Sequence, residues 1–184
     1  HQSVVNSVVL EPFLLINTNE NMLAFANGQP IPHIINNIFV PTFGMVGGTG
    51  STISLLIAIF IFSRQQSAKQ VARLSLAPGL FNINEPVIFG LPIVFNLPLM
   101  IPFVLLPAIG IYFAWLCTTL GFMSRCVVMI PWTTPPILSA WLATAGDWRA
   151  VVVQLAIIVF GVFFYLPFLK IAERVALKNS GIEN

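Results

Sequence analysis

The chain has 184 residues, of which 57% are hydrophobic and only 8% charged, and its mean hydropathy is +0.91. A soluble domain carries about 25% charged residues, so eight Lys and Arg with six Asp and Glu cannot coat a globule of 20.2 kDa. The rest of the surface must meet lipid or apolar protein, and a net charge of +2 is too small to suggest nucleic-acid binding.

Cys117 and Cys126 stand nine residues apart in or beside apolar sequence. They have no Cys/His metal spacing and no disulfide framework around them, and read as small packing residues. The sequence opens at His1 without an initiator Met, basic leader or cleavage signal, and reads as part of a longer protein entered partway through.

In chain order, residues 1–16 form a short helix-like apolar run with Glu11 and Pro12 near its end. Polar loops are expected at 17–22 and 27–37. An apolar stretch from Phe39 to Phe62 passes through GMVGGTG into ISLLIAIFIF, giving an expected span near 44–62. The glycine run lacks the GK[ST] of a phosphate loop and any preceding β pattern, so nucleotide binding is rejected and close helix packing preferred. A basic stretch with Arg64, Lys69 and Arg73 follows.

Residues 86–123 contain no charge and are too long for one crossing of a core about 30 Å thick. Pro86, Gly90, Pro92, Pro98, Pro102 and Pro107 break this stretch, and broken backbone at membrane depth is tolerated only against protein or a wet cavity. The expectation is a re-entrant hairpin near 77–98 and a span near 100–122. Residues 127–145 (VVMIPWTTPPILSAWLATA) read as a second re-entrant segment, and 150–169 as a further span. This gives an all-α membrane protein with transmembrane helices and two re-entrant hairpins.

Charge placement agrees with that arrangement. With both hairpins returning to their own side, Arg64, Lys69 and Arg73 lie on the same cytoplasmic side as Lys170, Arg174 and Lys178. Arg125 and Arg149 fall outside, the latter beside Asp147. Broken segments among spanning helices are a transporter device, because they aim backbone groups at a mid-membrane substrate.

Glu85, in NINEPVIFG, is the strongest chemical signal. A carboxylate at membrane depth costs a few kcal/mol and faces a polar cavity or partner, and Pro86 biases Glu85 toward extended backbone at a chain break. It reads as an acceptor or base for a polar substrate, or alternatively as a carboxylate capping the next half-helix. Asn82 and Asn84 suit sugar hydroxyls or helix capping equally. Trp132, in IPWTTPP, can stack on a pyranose ring or anchor at the interface, a role that fits Trp115, Trp141 and Trp148 better. His33 lies in a polar loop and reads as solvated, whereas His1 opens an apolar run where a titratable ring is less ordinary.

HxxVVNxVVLEPF, GMVGGTGST, LSLAPGLFNINEPVIFGLPIVFNLPLMIPF and IPWTTPPILSAWLATAGDWRAVVVQ together resemble the membrane component, enzyme IIC, of bacterial phosphotransferase-system permeases of the lactose/cellobiose/diacetylchitobiose class. The resemblance covers nearly the whole chain and implies its C-terminal, substrate-binding half, in a multi-pass protein of the bacterial cell membrane. It implies a β-linked disaccharide as substrate, with Glu85 and His1 at the reacting hydroxyl. Asn82, Asn84, Trp132 and Thr133 would complete the binding set, without metal or cofactor. The phosphoryl donor would be a phosphocysteine of the enzyme IIB component, since neither Cys117 nor Cys126 matches its surroundings. A homodimer through an N-terminal half absent from this chain is also implied. Gln2 stands where such proteins commonly carry glycine. The competing readings are an ion-coupled sugar transporter with Glu85 as proton carrier, and a non-transporting anchor or receptor.

Overall fold

The computed structural model describes residues 9–179, which are helical with no strand among them. Helix α1 covers Glu11–Ala26 and carries Pro12 in its first turn, where a missing N–H costs no helical bond. The expected polar loop at 17–22 is therefore the middle of a helix. Its polar side chains serve neighbouring backbone: the Asn17 amide donates to Ile35 O at 3.0 Å, and the Asn21 amide to His33 O at 2.7 Å and Cys126 O at 3.1 Å. Inward-facing polar groups erase the apolar stripe by which a helix is recognised. Residues 27–38 form the expected loop, in which His33 Nε2 lies 2.5 Å from Glu20 Oε2 of α1.

Helix α2, Phe39–Gly44, leads through a glycine-rich loop into α3, Thr52–Phe62. The continuous helix in the 44–62 region is thus 11 residues long, about 17 Å against a core of about 30 Å. Helix α4, Gln66–Leu80, accommodates Pro78 near its end; α5, Glu85–Gly90, follows a turn, and a 3-10 turn at Ile93–Phe95 leads on. The sequence rule had Glu85 extended, but α5 begins at Glu85, because Pro86 at the first helical positions is pre-set for the helix. Helix α6, Leu97–Thr119, keeps Pro102 and Pro107 inside it. After a long loop come α7, Leu138–Ala143, and α8, Trp148–Asn179.

Two helices are long and apolar enough to cross a membrane: Leu97–Thr119 and the stretch Trp148–Ala176 of α8, with hydropathies of 2.1 and 2.4. Only 28% and 33% of their apolar windows are buried, so each presents an apolar face outward rather than serving as the core of a soluble fold. They pack antiparallel through glycines. A Cβ on Gly110 would lie 2.6 Å from Phe43 O and 3.3 Å from Ile157 Cγ2, and one on Gly161 would lie 2.5 Å from Ser54 Oγ and 2.8 Å from Leu106 Cδ2. Small residues there let three helices approach closely. Leu55, Leu56, Ile59, Leu106, Tyr165 and Leu169 form the main core, and the Tyr165 hydroxyl donates to Gly50 O at 2.7 Å.

The two ends of the bundle differ in charge. Glu173 of α8 accepts from the Ser63 hydroxyl and from the Arg64 N–H at the α3–α4 junction. This contact brings Arg64 to the same end as Lys170 and Arg174, all three exposed. At the opposite end Asp147 accepts from the Ser124 N–H at 2.7 Å and from Arg149 Nε at 3.1 Å.

Candidate functional site

Three chain breaks meet at one side chain. Asn82 adopts left-handed backbone, φ +62°, a conformation that Asn tolerates better than most residues. Its amide donates to Trp132 O at 2.6 Å and to Thr134 O at 3.1 Å, while its oxygen accepts from the Gly47 N–H at 2.9 Å. Asn84 is buried and donates to Thr49 O at 2.6 Å. The glycine loop, the α4–α5 turn and the Pro-rich 131–137 loop are thereby tied together, and otherwise unpaired backbone groups find partners.

Gly48 shows why the loop needs glycine. Its φ is +97°, and a Cβ would lie 2.7 Å from Asn84 Cγ and 2.8 Å from Asn82 O. The GMVGGTG run therefore serves close approach between a loop and a turn, a tighter version of the helix packing expected for it.

Beside this junction lies a cavity of about 630 Å³, lined among others by Glu11, Asn37, Thr42, Asn82, Trp132, Thr134, Ser139 and Gln154. That is within the range of sites for small polar ligands. Trp132 lines it and is 64% exposed, so its indole is not packed away in the core. The fully buried Gln154 supports the far wall: its amide donates to Thr42 O at 2.7 Å and Ser139 Oγ at 2.9 Å, and its oxygen accepts from the Ile137 N–H at 2.6 Å. Ile137 has φ +76°, a strained setting for a β-branched residue. Gln154 thus holds a costly turn at the base of the Trp132 loop.

The structure brings together some of the candidate residues and not others. Asn82 and Trp132 share the cavity. Thr133 is half-buried between two lining residues. Asn84 lies behind the glycine loop with its amide engaged by Thr49. Glu85 is exposed in the first turn of α5 and is not among the residues lining the cavity. His1 lies outside the described residues. Glu11, Asn37, Ser139 and Gln154 were not singled out from sequence; a lone polar residue in an apolar run has no spacing partner to mark it.

The sequence matches the family described as "Phosphotransferase system, EIIC" over residues 1–107. The chain belongs to the EIIC family. It is 42% identical over 151 residues to the "PTS system cellobiose-specific EIIC component" of Lactococcus lactis subsp. lactis (strain IL1403), covering 78% of this chain and 31% of that protein. It is 32% identical over 180 residues to the "Lichenan permease IIC component" of Bacillus subtilis (strain 168), covering 97% of the chain and 40% of the relative. Its fold matches the crystal structure of ChbC, the IIC component of an N,N'-diacetylchitobiose-specific phosphotransferase system. That match has a TM-score of 0.91 and 35% identity, covering 97% of this chain and 42% of ChbC. The chain spans between 31% and 42% of the length of these EIIC relatives. Membership makes it part of a membrane component, in agreement with the outward apolar faces of α6 and α8.

Proposed function

We propose that this chain is the sugar-binding and translocating part of a phosphoenolpyruvate-dependent permease, carrying a β-linked disaccharide across the cell membrane for phosphorylation by an EIIB component. The observation that carries this reading is the meeting of three broken segments on Asn82 beside a cavity lined by Trp132. Such breaks supply polar groups at membrane depth without exposing unpaired backbone to lipid. The named substrates of the relatives, cellobiose, lichenan and diacetylchitobiose, support a β-glycosidic ligand.

The topology expected from sequence is retained for the long apolar helices and the broken segments. Helices α6 and α8 cross the membrane, the segments near 77–98 and 127–145 are re-entrant, and the end carrying Arg64, Lys170 and Arg174 is cytoplasmic. Glu85, at the first turn of α5, faces the sugar hydroxyl with His1 beside it. In the reaction the hydroxyl oxygen attacks the phosphorus of phosphocysteine on EIIB, an O–P bond forms as the S–P bond breaks, and the thiolate leaves. The hydroxyl proton passes to Glu85 or His1. The new phosphate repels Glu85, which weakens binding and favours release inward. The remainder of the permease supplies a dimer interface.

The test is sugar uptake by vesicles containing the full-length permease. Uptake should require phosphoenolpyruvate and the soluble phosphotransfer proteins, and should survive collapse of the proton gradient. Dependence on the gradient alone would instead establish the ion-coupled reading. Glu85→Gln separates base from binding residue: full phosphorylation activity in that variant rules out proton transfer to Glu85.

A further inference from the structure

The polar side chains around the 630 Å³ cavity fall into two groups. Those of Asn82, Thr134 and Gln154 are committed to protein: the two amides bridge backbone segments, and the Thr134 hydroxyl donates to Pro131 O at 2.6 Å. The Glu11 carboxylate and the Asn37 amide line the same cavity, and neither makes a side-chain hydrogen bond among the described residues. They stand on one wall. The Asn37 N–H donates to Leu14 O at 3.2 Å and to Thr18 Oγ1 at 3.1 Å, fastening that residue to α1, whose first turn carries Glu11. Position 14 is one helical turn beyond position 11, on the same face.

A carboxylate only accepts hydrogen bonds, and a primary amide both donates and accepts. Two such groups lining one cavity complement hydroxyls, each of which can donate and accept. The indole of Trp132 supplies the apolar surface that a pyranose C–H face requires. Glu85 does not line this cavity; with the reacting hydroxyl assigned to Glu85 on the sugar-permease reading, Glu11 and Asn37 are left for the other ring.

We infer that Glu11 and Asn37 bind the ring of the disaccharide that is not phosphorylated, making them specificity residues for the sugar's distal half. This rests on the sugar-permease reading and extends it to residues to which the sequence reading gave no role. The negative charge of Glu11 further disfavours ligands bearing a carboxylate or phosphate on that ring.

The experiment is a binding cycle on the purified full-length permease, titrating cellobiose and two monodeoxy cellobioses by calorimetry. One analogue lacks a hydroxyl on the distal ring and the other lacks the hydroxyl that accepts phosphate. Glu11→Gln should weaken cellobiose binding about tenfold, the scale of one charged hydrogen bond. That loss should disappear for the distal-ring analogue and persist for the other, because coupling reports direct contact. Asn37→Ala, which leaves the carboxylate in place, should show the same pattern and serves if Glu11→Gln fails to fold. Unchanged cellobiose affinity in both variants, or equal losses on both analogues, overturns the assignment. Failure of the unsubstituted permease to bind any of cellobiose, lactose and diacetylchitobiose overturns the sugar reading itself and this inference with it.

Discussion

Replacing Asn82 with alanine removes the one side chain shared by the three chain breaks. The change deletes hydrogen bonds to Trp132 O and Thr134 O and the bond from the Gly47 N–H. A hydrogen bond contributes about 1 kcal/mol net, so the three together give about 3 kcal/mol; the exposed setting of the Trp132 contact lowers this to about 2 kcal/mol. Left-handed backbone, φ +62°, adds about 1 kcal/mol for alanine. The expected total is about 3 kcal/mol, a large share of a typical domain's stability. Asn82→Gly keeps the backbone unstrained but still lacks the bonds, and should recover only the last of these contributions. Denaturant or thermal unfolding of the full-length permease in detergent measures both variants, and limited proteolysis at residues 131–137 reports whether the Trp132 loop is released. If Asn82→Gly unfolds like the parent and its loop stays protected, the clamp is not what holds the breaks together.

Further perturbations address the cavity wall and the charged end. Gln154→Leu leaves the Ile137 N–H and Thr42 O without their buried partner. It should cost about 3 kcal/mol at two unsatisfied groups, read as a drop in unfolding midpoint greater than that of a surface substitution such as Gln66→Leu. Ile137→Gly relieves left-handed backbone on a β-branched residue and should raise stability by about 1 kcal/mol, measured in the same way. Burial of Asp147 favours its neutral form, but hydrogen bonds from the Ser124 N–H and from Arg149 outweigh this and hold the carboxyl down to about 2. A carboxyl depressed in the folded state stabilises above its unfolded value near 4 and loses that contribution as pH falls toward 2. With Arg149 41% exposed, the contribution is about 1 kcal/mol after solvent screening. Asp147→Asn should abolish that part of the acid sensitivity in unfolding curves between pH 5 and pH 2.

The long apolar helices were legible because length and composition alone define their apolar parts: α6 lies near the expected 100–122 and α8 contains 150–169, although α8 runs on past Lys170, Glu173 and Arg174 to Asn179. Helix α1 was not. Its residues Asn17, Thr18 and Asn21 resemble loop sequence, and only the tertiary structure shows that the two asparagines point at loop carbonyls while Thr18 donates to Leu14 O of its own helix. Pro102 and Pro107 marked breaks that α6 absorbs, since proline costs a helix one donor that neighbouring groups can replace. Around the cavity, Asn82 and Trp132 stood out because a polar residue close to Glu85 and an aromatic beside Pro131 are anomalies in apolar sequence. Gln154 was hidden by the opposite circumstance, a single amide in an otherwise regular span. Its partners at positions 42, 137 and 139 are joined to it by the fold alone.

The Asn82 clamp grips main-chain carbonyls at positions 132 and 134 rather than their side chains. Position 132 is consequently free to change identity without loosening the junction. A permease could shift its sugar preference by exchanging the aromatic at 132 while its scaffold persists, which makes that position of the 131–137 loop a place where selectivity can drift and be engineered apart from stability.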